Sequence, residues 1–173
     1  MNPPRSLDFT PPDLRTIQEN DSCRVLAHEN ILIILWRRAP TADVWHAVRE
    51  VGVTHADSLK AEKISVTSIL PPGVRAPSAS ARSALAQIHE ESQGVVHRTA
   101  VVLPDTGFIA AAVRSIVLSA TQGSTRRNGH GVFSSVASAL TWATEGLNTA
   151  SGRRVSVSAL VHALEEARDR PPA

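Results

Sequence analysis

From Cys23 onward, short β-branched apolar runs alternate with segments whose apolar residues recur at helical spacing, and few folds accept that order. CRVLAH and ILIILWRR are two strand-like runs separated only by Glu29-Asn30, which predicts a hairpin. TADVWHAVREVG follows, capped by Thr41 or Asp43, with Val44, Trp45, Val48 and Val51 on one helical face and Gly52 as its stop. KISVTSIL, 63–70, alternates and is β-branched, so it reads as a strand ended by Pro71-Pro72. APSASARSALAQIHEES predicts a helix capped by Ser78 or Ser80, its inner face built on Leu85, Ile88 and neighbouring alanines. HRTAVVLP and TGFIAAAVRSIVLSATQ form another strand and helix, and GVF with SSVASALTWATEGL a last pair beyond the polar loop GSTRRNGHG.

Parallel neighbours need a crossover, and a helix after each strand supplies it. The expected fold is therefore α/β, a mixed and mostly parallel sheet with an N-terminal hairpin, crossover helices and an added C-terminal helix. That last helix, VSVSALVHALEEARDR, carries Val157, Leu160, Val161 and Leu164 on one face. The predicted organisation is a flexible Pro-rich arm over 1–20, one domain over 21–148, and a hinge with the C-terminal helix over 149–173. Whether that helix packs on its own domain or on a neighbour is open at the level of sequence.

With 173 residues the chain can bury a core without disulfides or a structural metal. Its single cysteine, Cys23, excludes an intramolecular disulfide and a cysteine zinc site, and is consistent with a reducing compartment. The start, MNPPRSLDFTPPDL, lacks the apolar stretch of a secretory leader, and no run approaches the roughly 18 apolar residues of a membrane span, so a cytoplasmic protein without a transmembrane segment is expected. Three Trp, three Phe and no Tyr leave little for a base-stacking platform. The net charge of +2 comes with arginine pairs scattered along the chain, and no nucleic-acid partner is expected.

The turn PDTG, 104–107, joins a strand to the most apolar helix of the chain. A phosphate cradle there needs several converging backbone amides, hence several glycines or a Lys-Ser pair. PDTG has one glycine, no lysine and an aspartate that repels a phosphate, while Asp105 or Thr106 can cap the helix itself. Neither GxGxxG nor a P-loop occurs, and no cofactor is expected. In the helix, Phe108, Ile109, Val113, Ile116 and Val117 cover more than one face, so something beyond the sheet must cover the remainder. The candidates are the C-terminal helix, a protein partner or second copy, an apolar ligand, or a membrane surface, with Arg114 and Arg126 flanking the surface.

No reacting constellation stands out. The seven histidines, at 28, 46, 55, 89, 97, 130 and 162, match no metal-ligand spacing, and no GxSxG elbow provides a nucleophile. Cys23 lies in a strand-like run with nothing to activate it. Glu90-Glu91 and Glu165-Glu166 are adjacent on helices, so the members of each pair diverge and read as solvated faces. His130, in GHG beside Arg126 and Arg127, is the one loop histidine in a basic, Gly-rich setting and the best candidate if the chain were an enzyme.

The order of elements, with GVFSSVASALTWATEGL and AVVLPDTGFIAAAVRSIV, resembles the STAS/SpoIIAA-like family, which includes anti-sigma-factor antagonists and SEC14-like relatives. Val132, Phe133, Ala139 and Trp142 carry the likeness, which covers roughly residues 23–148 as topology and rests on packing residues in the last third. The resemblance implies a non-enzymatic regulatory module acting through protein contacts, or, on the SEC14-like side, one that holds a lipid or other apolar molecule between the 107–121 helix and the C-terminal helix. Antagonists of that family place a phosphorylatable serine in an Asp-Ser-Ser/Thr-Gly-like turn where this chain has LPPGVRAPSAS, so Ser78 and Ser80 occupy the neighbourhood without matching the motif.

Overall fold

A computed structural model describes residues 12–104 and 129–169, with Ala111, Arg114 and Ser115 between them. These residues form a six-stranded mixed sheet in sequential order: β1 (Arg15–Glu19), β2 (Cys23–His28), β3 (Ile31–Trp36), β4 (Ile64–Ile69), β5 (Val96–Val102) and β6 (Gly129–Phe133). The first three pair antiparallel and the last four parallel. Helix α1 (Ala42–Leu59) joins β3 to β4, and α2 (Ala79–Glu91) joins β4 to β5. Helices α3 (Val136–Thr144) and α4 (Val157–Asp169) follow β6. The expected α/β architecture is thus the observed one.

The strand period of two sorts the apolar residues into two cores. Leu26, Ile31, Ile33, Ala100 and Val102 point to one face, where α3 and α4 cover them with Ala139, Leu140, Leu160 and Leu164. Their neighbours in sequence, Val25, Ile34 and Val101, with Ala27 and Leu32, point to the other face, beneath α1. The sheet is accordingly buried on both sides, which is why its central strands read as continuous apolar runs.

Four differences from the sequence reading have local causes. The arm expected over 1–20 ends early, because Arg15–Glu19 forms an edge strand against β2 with an irregularity between Thr16 and Gln18. Its polar composition suits an edge, and its last residue meets a buried cation: Arg24, 6% exposed, donates to Glu19 Oε1 through Nε at 3.0 Å and to the carbonyl of Ala167 at 2.5 Å. Chiefly through that Arg24 hydrogen bond, Glu19 is held below the usual carboxylate range. Second, Gly52 does not stop α1 but lies inside it, where an added Cβ would come within 3.2 Å of Leu32 Cδ1, so the glycine sets how closely the helix approaches β3. The helix ends instead at Lys60, in the left-handed region with φ of 51°.

Third, Gly129, His130 and Gly131 belong to β6 rather than to a loop. Fourth, the stretch 149–153 is no free hinge. Asn30, 1% exposed in the β2–β3 turn, donates to the carbonyls of Lys63 and Asn148 at 2.7 and 2.9 Å and accepts from the amide of Ala150 at 3.2 Å. Glu29 accepts from the amide and hydroxyl of Ser151. The C-terminal helix therefore packs on its own domain, with Leu160 and Leu164 buried in the core.

Candidate functional site

On the α1/α2 side of the sheet lies a cavity of about 260 Å³. Its floor is the sheet: Leu32 and Ile34 of β3, Val66 and Ser68 of β4, Thr99 and Val101 of β5. Its roof is Trp45, Val48 and Gly52 of α1 with Ala81, Leu85 and Ile88 of α2. The sequence explains the space. At mid-sheet β4 offers only Val66 and Ser68 to this face, and α2 meets it with the small, buried Ala81. Leu85 and Ile88, expected as packed core, stay half-buried and line the cavity. The walls are dominated by hydrocarbon, the usual character of a small-molecule pocket.

Polar groups enter at two places. Arg49 of α1 pairs through Nη2 with Glu91 Oε2 at 3.2 Å, its Nε is buried without a partner among the described residues, and exposed Arg75 borders the cavity from the loop before α2. His89 of α2 and His130 of β6 also line it, their rings in a T-shaped contact with centroids 3.9 Å apart and planes at 73°. Nε2 of each is buried and meets no hydrogen-bond partner among the described residues. Burial among apolar groups holds both rings neutral: His130 is pushed down to about 4, by desolvation first and by His89 second, and His89 is lowered by desolvation.

Most of the other histidines are structural. Nδ1 of His28 lies 3.4 Å from the carbonyl of Asp13, Nε2 of His55 2.7 Å from that of Glu29, and Nε2 of His97 3.0 Å from that of Glu145; His162 lies 3.5 Å from Glu166. Cys23 is fully buried and its thiol is pushed up by burial, so it is no nucleophile. Ser78 is spent on capping, its hydroxyl accepting from the amide of Ala81 at 3.2 Å, and it lies 3.0 Å from the hydroxyl of Ser80. Among the described residues no three His, Cys, Asp or Glu side chains are placed to hold a metal ion. No helix among them is long and apolar enough to cross a membrane.

Of the surface expected on 107–121, Phe108, Ile109, Val113, Ile116 and Val117 lie outside the described residues, as do Asp105, Thr106, Arg126 and Arg127. Arg114 is described as helical and half-buried. No residue of α4 lines this cavity, and most of the 107–121 helix, the expected counterpart of the C-terminal helix in enclosing an apolar ligand, lies outside the described residues. Sequence reasoning singled out His130 but missed its partner, because His89 reads as an ordinary helix position and only the β6 register brings the two rings together. Of the residues that carried the family likeness, Val132 packs on the cavity's face of the sheet and the other three on the opposite face: Ala139 is fully buried, Phe133 and Trp142 are 5.4 Å apart, and the Arg98 guanidinium sits 4.9 Å over the Trp142 ring. No family model, curated protein or solved structure matches the chain.

The histidine pair has a consequence for stability. Above about pH 6.5, the ordinary histidine value, the folded and unfolded chains both hold these rings neutral. As pH falls below that, the unfolded chain takes up protons that the folded one disfavours, His130 staying neutral until about 4 and His89 lowered in the same direction, so stability drops as pH falls from about 6.5. Urea denaturation between pH 7 and 5 checks this. Wild type is expected to lose stability where His130→Phe loses less; equal slopes would mean that the ring is not held neutral by its surroundings.

Proposed function

We propose that this protein is a cytoplasmic, non-enzymatic binding module of STAS/SEC14-like character whose ligand is an apolar small molecule held between the sheet and helices α1 and α2. One observation carries the reading: a cavity of about 260 Å³ walled by Leu32, Ile34, Val66, Leu85 and Ile88. The polar groups at its wall are few and largely engaged with one another, Arg49 paired with Glu91 and His89 in ring contact with His130, which suits recognition of an apolar molecule. A protein-interaction role through 107–121 rests on residues outside those described, and the cavity makes the stronger case.

The test uses the intact chain. Native mass spectrometry of freshly purified protein is expected to show a retained small-molecule adduct that organic extraction removes. Val66→Phe places a ring in the middle of the cavity from a half-buried strand position, and is expected to abolish the adduct while changing stability by no more than about 2 kcal/mol, the scale of a cavity-filling substitution. An adduct that survives Val66→Phe at wild-type occupancy places the ligand elsewhere and overturns the reading.

A further inference from the structure

Among the described residues, two of the buried nitrogens without a partner, Nε2 of His89 and of His130, belong to rings that touch each other and line one cavity. His89 is 8% exposed, so water does not readily replace the missing partner. An unmet buried polar atom costs stability, and two in contact at the wall of an apolar cavity are conspicuous. The remaining ones without a partner, among them Trp36 Nε1 and Thr67 Oγ1, belong to residues that do not line this cavity, Arg49 excepted.

We infer that the His89–His130 pair is the head-group anchor of the cavity and selects an apolar molecule that ends in an uncharged hydroxyl group. The inference deepens the apolar-ligand reading and rests on it. A neutral imidazole carries one N–H and one lone pair, so a pair of such rings can present a donor and an acceptor together. A hydroxyl both donates and accepts and can satisfy the two at once. A carboxylate has no hydrogen to donate and would bring a charge into apolar surroundings, where Arg49 is already engaged by Glu91. Among the described residues, Arg75 borders the cavity but is exposed and therefore screened by solvent, and Arg49, though its Nε is unmet, already shares its charge with Glu91. The size of the molecule follows from the space: a cavity of roughly 150 Å³ admits benzene, so this one suits about ten non-hydrogen atoms.

The experiment titrates the full-length protein at neutral pH with 1-octanol and, separately, with octanoate, by calorimetry and by nitrogen-detected NMR of the histidine rings. Octanol is expected to bind, to move the Nε2 resonances of His89 and His130, and to bind at least about tenfold more tightly than octanoate. The double variant His89→Phe, His130→Phe keeps a ring at each position and is expected to weaken octanol about tenfold. The wild-type NMR result stands even if that variant fails to fold. Tighter binding of octanoate would overturn the inference by making the head group anionic. So would octanol that binds in a manner sensitive to Val66→Phe yet leaves both imidazoles unmoved, which spares the cavity and sinks only the anchor. If wild type binds neither probe, the cavity reading itself fails.

Discussion

Asn30→Ala lowers the unfolding free energy by about 3 kcal/mol, counting roughly 1 kcal/mol for each of three buried hydrogen bonds. The amide of Asn30 joins three segments that are distant in sequence: the β2–β3 turn, the entry to β4 at Lys63, and the connection from α3 to α4 at Asn148 and Ala150. Alanine leaves two carbonyls and one amide without the side chain that met them. Asn30→Asp is expected to cost more, because it keeps the size of the residue but turns the donating end toward the carbonyls of Lys63 and Asn148 as a charged oxygen. Urea denaturation monitored by circular dichroism measures both. A loss below about 1 kcal/mol for alanine would mean that the three groups find other partners.

Leu164→Ala costs about 3 kcal/mol, within the range for a leucine removed from a close-packed core. Leu164 is 1% exposed and shares a cluster with Leu26, Ile33 and Leu140, so the C-terminal helix is part of the domain's core and not an appendage. His162, exposed on the same helix, is the control: His162→Ala is expected to change stability by less than about 0.5 kcal/mol. The contrast between the two separates docking of the helix from its mere presence. If Leu164→Ala were as mild as His162→Ala, the helix would not be held by the face that buries Leu160 and Leu164.

Much of the scaffold was legible because local chemistry and tertiary position agree. KISVTSIL became β4 and stopped before Pro71, since proline cannot extend the ladder and the alternation already matched a two-sided burial. Ser78 was one of two candidate caps, and its hydroxyl meets the amide of Ala81. The edge strand Arg15–Glu19 was not legible: RTIQE has a single apolar residue, and its pairing depends on a neighbour that only the folded chain supplies. Gly52 misled for a related reason. A glycine reads as a helix stop locally, whereas here it answers the close approach of Leu32 across the layer.

The candidate site was less legible than the fold. His130 drew notice for its glycine-rich setting, and that setting is a strand; its meaning came from His89, which no spacing rule connects to it. The cavity has no motif, because a void is made by what side chains fail to fill, here Ser68 and Val66 beneath Ala81 and Leu85.

What the sequence by itself determined is the succession of strands and helices and their amphipathic faces, since period, capping and proline placement act over a few residues. Only the tertiary structure decided which helix covers which face, that Asn30 pins the chain's last connection, and that two neutral histidines meet at the wall of a cavity. Those outcomes depend on distances between segments far apart along the chain, and such distances exist only once the sheet has closed its register.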